Sequence, residues 1–253
     1  MKIISASRRE DMPAFGMHRI LDKYAKLGED TFWVFWTKDP SNLAANIGKL
    51  DPKRMALQVT ITGFGGHPDV EPGVPDENVV FDAIDRLIDN GVNPKLITWR
   101  MDPVLYNYDI NMNYIASRMC ARNIDKCVIS FPALYDFVKD RWPAWKRYSC
   151  GDVTQQRAIA AHIYSWLREE YGIVTKHCGQ PQLDGIMDPS SCIDAEYISR
   201  ITGFDLDASK DRSQRKACGC AVSTDIGEYK ECQHGCKYCY SRQSSPQQSL
   251  KFE

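Results

Sequence analysis

Thr31-Phe32-Trp33-Val34-Phe35-Trp36-Thr37-Lys38 is the stretch on which the fold turns. From Thr31 to Thr37 every residue is β-branched or aromatic, the composition that favours an extended strand. Apolar and polar residues do not alternate along it, as they would if one face met water. A strand that is apolar on both faces belongs in a sheet covered on both sides, which is the usual setting of parallel strands. The run ends at a charged residue, Lys38.

Working outward, the same kind of run recurs at Lys2–Ala6, Met55–Ile61, Leu96–Arg100, Cys127–Phe131 and Ile173–His177. Between these runs the periodicity changes to that of amphipathic helices. Gly16–Leu27 places Ile20, Leu21, Tyr24 and Leu27 on one face. Ser41 caps a helix through Ile47, and Glu77–Asn90 turns Val80, Ala83, Ile84, Leu87 and Ile88 inward. Met112–Arg122, Tyr135–Trp142 and Thr154–Tyr171 complete the set. Six strand–helix units imply a parallel sheet with right-handed crossovers.

A doubly wound sheet and a barrel both satisfy that pattern, and the polar residues decide between them. After the first strand come Arg8, Arg9, Glu10 and Asp11, and after the second Thr37 and Lys38. The third opens into Thr62-Gly63-Phe64-Gly65-Gly66-His67. Arg100 and Asp102 end the fourth strand, Ser130 the fifth, and His177 and Cys178 the sixth. In a barrel these ends converge on one mouth, where such folds keep their chemistry. The expected fold is therefore α/β, a (βα) partial TIM-type barrel of about six parallel strands over residues 1–178. The buried tryptophans of the strands, Trp33, Trp36 and Trp99, are expected in its core.

From residue 179 onward the pattern breaks down. Asp188-Pro189-Ser190-Ser191-Cys192, a short helix at Asp194–Ile201 and a charged run from Lys210 to Lys216 lead to Cys218-Gly219-Cys220. With few aliphatic residues of its own, this cysteine-rich extension (179–253) is expected to be ordered by metal and by packing across the barrel mouth.

The chain has 253 residues, is 43% hydrophobic and 26% charged, and carries a formal net charge of −1. Such a balance provides no global field for nucleic acid or an anionic membrane. The N-terminal segment MKIISASRRED lacks the apolar run of a signal peptide, and no stretch approaches a membrane span. A cytoplasmic setting is expected, without membrane association. The ten cysteines are then to be read as candidate metal ligands before disulfides. None precedes Cys120. Cys120 and Cys127 read as small core residues.

The most informative of them lie in Cys232-Gln233-His234-Gly235-Cys236-Lys237-Tyr238-Cys239-Tyr240. Three thiolates at C-x3-C-x2-C spacing on one tight loop can each hold one iron of a [4Fe–4S] cluster, with the fourth iron open to a small molecule. A zinc ribbon built from Cys236, Cys239, Cys218 and Cys220 is the alternative, though C-G-C is a poor knuckle and Cys232 would be left over. Cys178, Cys192, Cys218 and Cys220 would suffice for a second, auxiliary cluster, or for one structural zinc among inert thiols.

The nine-residue loop resembles the cluster loop of the radical SAM superfamily, and is similar to that of spore photoproduct lyase, which acts on thymine in DNA. The whole chain resembles an uncharacterised bacterial family, a domain of unknown function. The match is carried by Ile4–Arg9, Phe35–Lys38, Thr62–Gly65, Trp99–Pro103, Cys218–Cys220 and Cys232–Tyr240. The superfamily resemblance implies reductive cleavage of S-adenosylmethionine and hydrogen abstraction from a substrate in the barrel. It also implies a reductant such as flavodoxin or ferredoxin, and a nucleotide or DNA base as one substrate class. Gly63, Gly65 and Gly66 would cradle the methionine end of the cofactor. Arg8, Arg9 and Lys38 would bind its anionic or ribose groups. Tyr238, Tyr240, Arg100 and Asp102 are the candidate catalytic residues. In that superfamily the loop follows the first strand, whereas here it follows all six. An iron–sulfur or zinc protein that binds nucleic acid through its tail, without radical chemistry, is the competing expectation.

Overall fold

The computed structural model describes residues 1–105, 111–229 and 232–241. Its centre is a seven-stranded, all-parallel sheet of β1 (Lys2–Ala6), β2 (Thr31–Thr37), β3 (Met55–Thr60), β4 (Ile97–Met101), β5 (Lys126–Ile129), β6 (Val174–His177) and β7 (Thr224–Asp225). The order across the sheet is β6-β5-β4-β3-β2-β1-β7, and the sheet does not close. Each of the first six strands lies beside its neighbour in sequence. The longer helices are α1 (Met17–Leu27), α2 (Glu77–Asp89), α3 (Met112–Ala121), α4 (Val153–Tyr171) and α5 (Ala195–Thr202). Their ends follow local chemistry. Asp76 caps α2, and Asp152 with Gln155 forms a capping box at the start of α4. Gly172 ends α4 in a left-handed conformation.

Strand register divides the sheet into two faces without a slip. Ile4, Trp33 and Met55 are in register, as are Phe35 with Leu57, Val59 with Trp99, and Met101 with Ile129. These side chains form the larger core together with Ile20 of α1, Val80, Ile84 and Leu87 of α2, Ile115 and Met119 of α3, and Ala160 and Leu167 of α4. All four crossover helices therefore cover the same face. Trp33 and Trp99 are buried in it, while Trp36 is half-buried on the other face under the Arg8 guanidinium.

The other face carries Ile3, Phe32, Val34 and Ala56, and here the extension corrects the expectation. It neither forms a separate core nor lies only across the strand ends. Cys192, Ile193, Ala195, Ile198, Leu206, Cys220 and Ala221 pack directly on this second face. Each such fully buried aliphatic side chain stabilises by about 1.5–3 kcal/mol, so a few of them suffice when the sheet supplies the rest of the core. The extension also adds β7, which pairs parallel with β1 at Ile4 and Ser5. Asp225 fixes that strand by accepting hydrogen bonds from Ser7 Oγ at 2.8 Å and from Gly227 N at 2.9 Å. Among the described residues, no helix is long and apolar enough to cross a membrane.

Candidate functional site

The nine-residue cysteine loop sits over the C-terminal ends of β1, β2 and β3. Its anchor is His234, which is 2% exposed. The imidazole meets Asp11 Oδ2 at 2.7 Å and the Gly73 carbonyl at 2.9 Å. The backbone adds Gly73 N to His234 O at 2.8 Å and Lys237 N to Val70 O at 2.9 Å. Asp11 also accepts the Lys38 amide at 2.7 Å, which ties the loop after β1 to the end of β2. Gly235 has φ +71°, the left-handed region that glycine enters without strain, and it turns the loop between His234 and Cys236. His234 is held above the ordinary histidine range. Burial works against its charge and is outweighed by the hydrogen bond and charge of Asp11.

Beneath the loop lies Glu71, 1% exposed, in a stretch that carries no recognisable sequence motif. It is bonded by Lys38 Nζ at 2.8 Å, by Thr62 Oγ1 at 2.7 Å and by the Tyr238 hydroxyl. Lys38 lies 5.6 Å from the centre of the Tyr238 ring. Burial opposes the Lys38 charge, but Glu71 and then Cys236 outweigh it, so the amine stays above its usual range. Burial, then Cys236 and Glu71, drives the Tyr238 phenol well up. Cys236 is 6% exposed, and burial raises its thiol while Lys38 pulls the other way. Cys232, Cys236 and Cys239 lie within electrostatic reach of one another. Arg141 donates to the carbonyls of Lys237 and Cys239, and Trp142 meets the Tyr238 ring edge-on.

The other expected site residues fall into groups. Arg100 and Asp102 pair with each other, and Ser130 donates to Asp102. Asp102 is held below the usual carboxylate range: burial works against it, and Arg100 and the Ser130 hydrogen bond outweigh that. Tyr240 is 39% exposed, in contrast to Tyr238. Arg8 and Arg9 are taken up by the extension, through Ser223 Oγ and the Gly227 carbonyl. Gly65 has a packing reason for lacking a side chain, because a Cβ there would lie 2.2 Å from the Pro75 carbonyl. Gly63 and Gly66 turn the loop at φ +79° and +76°. That loop returns Glu71 to Thr62.

Cys178, Cys192, Cys218 and Cys220 meet on the second face of the sheet. Cys178 and Cys192 have their sulfurs 3.6 Å apart. Cys220 interacts with both Cys192 and Cys218, and its side chain pulls the Cys218 thiol down to about 6. Arg100 Nη1 donates to Cys192 Sγ at 2.9 Å. The contacts of Cys218 and Cys220 are thus with Cys178 and Cys192, and a zinc ribbon shared with Cys236 and Cys239 finds no support in them. Among the described residues, no three His, Cys, Asp or Glu side chains are placed so that they could hold a metal ion as they stand. Cys127 and Cys150 are buried. Cys120, expected in the core, is exposed on α3.

Fold and site together define an open, all-parallel α/β protein with two separate gatherings of cysteines. The chain belongs to the family described as Domain of unknown function (DUF1848), whose model matches residues 24–241. No curated protein and no solved structure gives a significant match.

Proposed function

We propose that this chain is a radical SAM-type enzyme built on a partial TIM-type barrel. In this reading Cys232, Cys236 and Cys239 would hold a [4Fe–4S] cluster that keeps one iron open for S-adenosylmethionine. When bound and reduced by one electron from a ferredoxin- or flavodoxin-type donor, the cluster would supply the electron that splits S-adenosylmethionine into methionine and a 5′-deoxyadenosyl radical, which takes a hydrogen atom from substrate.

The observation that carries the reading is the seat of the loop. His234–Asp11 and the Gly73 and Val70 backbone contacts hold three cysteines above the ends of β1, β2 and β3. A loop following the first strand would occupy the same region, so late position in sequence becomes early position in space. The donor set also fits. Three cysteines lie within eight residues of one loop, and Lys38 beside Cys236 favours its thiolate, although burial and Glu71 work against it.

The remaining residues orient and shield. Glu71 fixes Lys38 and Tyr238 in one arrangement, so neither side chain is free to swing into the space under the loop. Arg141 and Trp142 brace the far side of the loop through the Cys239 carbonyl and the Tyr238 ring. Lys38, held by Glu71, and Asp102, held by Arg100, lie within electrostatic reach of each other, and would present a fixed cation and a fixed anion to the polar ends of an amino-acid-bearing cofactor. The substrate class proposed is a nucleobase or nucleotide.

Anaerobic reconstitution, iron and sulfide counting, then dithionite with S-adenosylmethionine tests the reading. Wild-type protein is expected to form 5′-deoxyadenosine and Cys236→Ala to form none. Iron held without 5′-deoxyadenosine would support a non-radical iron–sulfur protein instead. Equal iron in wild type and Cys236→Ala would remove the loop cluster altogether.

A further inference from the structure

We propose that Cys178, Cys192, Cys218 and Cys220 form a second metal centre, closed by four thiolates, that fastens the extension to the sheet. It deepens the reading above but does not depend on it, because its ligands and its neighbours are different residues.

The four sulfurs come from three separate segments. Cys178 directly follows β6 and is bonded through its backbone to Ile129 at the end of β5. Cys192 lies in the turn before α5, and Cys218 and Cys220 lie in an irregular stretch more than twenty residues later. Hydrogen bonds around them hold these segments in place. Ala221 N donates to Ile193 O at 3.0 Å, Ser191 Oγ to Gly219 O at 2.8 Å, and Gln58 Nε2 to Cys192 O at 2.9 Å. Cys192 and Cys220 are 6% and 2% exposed. Four thiols brought together in this way are unusual as mere filling, since small apolar residues would pack as well without reactive sulfur.

Charge gives a second and independent argument. Arg100 is 5% exposed and donates to Cys192 Sγ as well as to Asp102. A buried guanidinium is costly unless it faces negative charge. Arg100 already has one counter-charge in Asp102, yet it turns a second N–H onto Cys192 Sγ, where four thiolates around a divalent ion or an iron–sulfur cube would present further negative charge to it. The 3.6 Å separation of the Cys178 and Cys192 sulfurs suits two thiolates on one tetrahedral ion, for which an edge of about 3.8 Å follows from zinc–sulfur bonds. Cys178 and Cys192 are in sulfur contact, and Cys220 and Cys218 lie close enough to interact with Cys192, so binding would draw the four around a common centre and order the irregular stretch. All four positions are ligands, which leaves no site for a small molecule: the role is structural or electron-carrying.

The test is metal and acid-labile sulfide analysis of anaerobically purified, untagged full-length protein in three forms. Cys236→Ala is expected to retain either one zinc ion without sulfide or about four irons with sulfide. A Cys192→Ser, Cys220→Ser double variant is expected to lose that metal roughly tenfold while keeping the iron of the Cys232–Cys239 loop. A metal-free Cys236→Ala protein overturns the proposal, as does a double variant with wild-type metal content. If the double variant does not fold, mercurial titration of the Cys236→Ala protein, which lacks the loop cluster, decides. Metal released in step with four thiols supports the centre, and four thiols titrating with no metal release refutes it. Failure here leaves 5′-deoxyadenosine formation untouched, and failure of the radical reading leaves the metal of Cys236→Ala untouched.

Discussion

His234 Nε2 and Asp11 Oδ2 meet at 2.7 Å although 223 residues separate them in sequence. The two side chains are 2% and 6% exposed on their side-chain atoms, so neither can turn to water if the other is lost. Asp11 further accepts the Lys38 and Ala14 amides. Removing one partner of a buried ion pair costs about 3–5 kcal/mol. Asp11→Ala is therefore expected to lower unfolding stability by that amount in urea titration. A loss below about 1 kcal/mol would equate the contact with an exposed pair and would unseat the loop's anchor.

Gly73 tests the same seat from its other side. A Cβ there would lie 2.8 Å from the His234 carbonyl, a backbone atom with little room to yield. Gly73→Ala is expected to cost about 1–3 kcal/mol by overpacking, and to make the buried Cys236 accessible to thiol labelling. Gly48→Ala provides the control, because nothing lies within 4 Å of its added carbon. Equal effects of the two substitutions would show that the loop does not press on Gly73.

Glu71 is the hinge of the polar layer under the loop. Glu71→Ala leaves the half-buried Lys38 amine and the Tyr238 hydroxyl without their carboxylate. Tyr238→Phe removes only the hydroxyl, and its hydrogen bond to a charged group is expected to account for about 1.5–3 kcal/mol. The double variant Glu71→Ala, Tyr238→Phe should then lose less than the sum of the two single changes, since both break one network. Strict additivity in thermal unfolding would mean that the two side chains are not coupled.

The strands were legible because Thr31–Thr37 and its counterparts are continuous in sequence and their composition alone determines their burial. β7 was not, since two residues, Thr224 and Asp225, have no pattern to read and owe their pairing to Ser5 and Ser7. The cysteines announced themselves by type and spacing. Glu71 did not, because its importance arises only when the glycine loop brings it back to Thr62. The extension was misplaced for a similar reason: Ile193, Ile198 and Leu206 are too few to make a core alone, and the sequence does not reveal that Phe32 and Val34 wait on the sheet to complete it.

The second face of the sheet offers a test by pH. Lys126, over the ring of Tyr197, lines a cavity of about 480 Å³ beside α5. Burial lowers its amine to about 8, against the pull of Asp194 and Asp125. An unfolded lysine titrates near 10.4, so between about 8 and 10.4 the folded chain binds fewer protons than the unfolded one. Stability contributed by this group therefore rises with pH across that window, and below it the folded state bears the cost of a buried charge. At pH 7 about a tenth of Lys126 is the free amine, against less than about one part in a thousand for an ordinary lysine. Limited acetylation followed by peptide mass spectrometry should find Lys126 modified with a midpoint near 8, while Lys38, whose amine is held high by Glu71, remains unmodified. Lys126→Arg should remove the rise in stability between pH 8 and 10. A Lys126 labelling rate that climbs without a break to pH 10 would show that burial does not govern this amine.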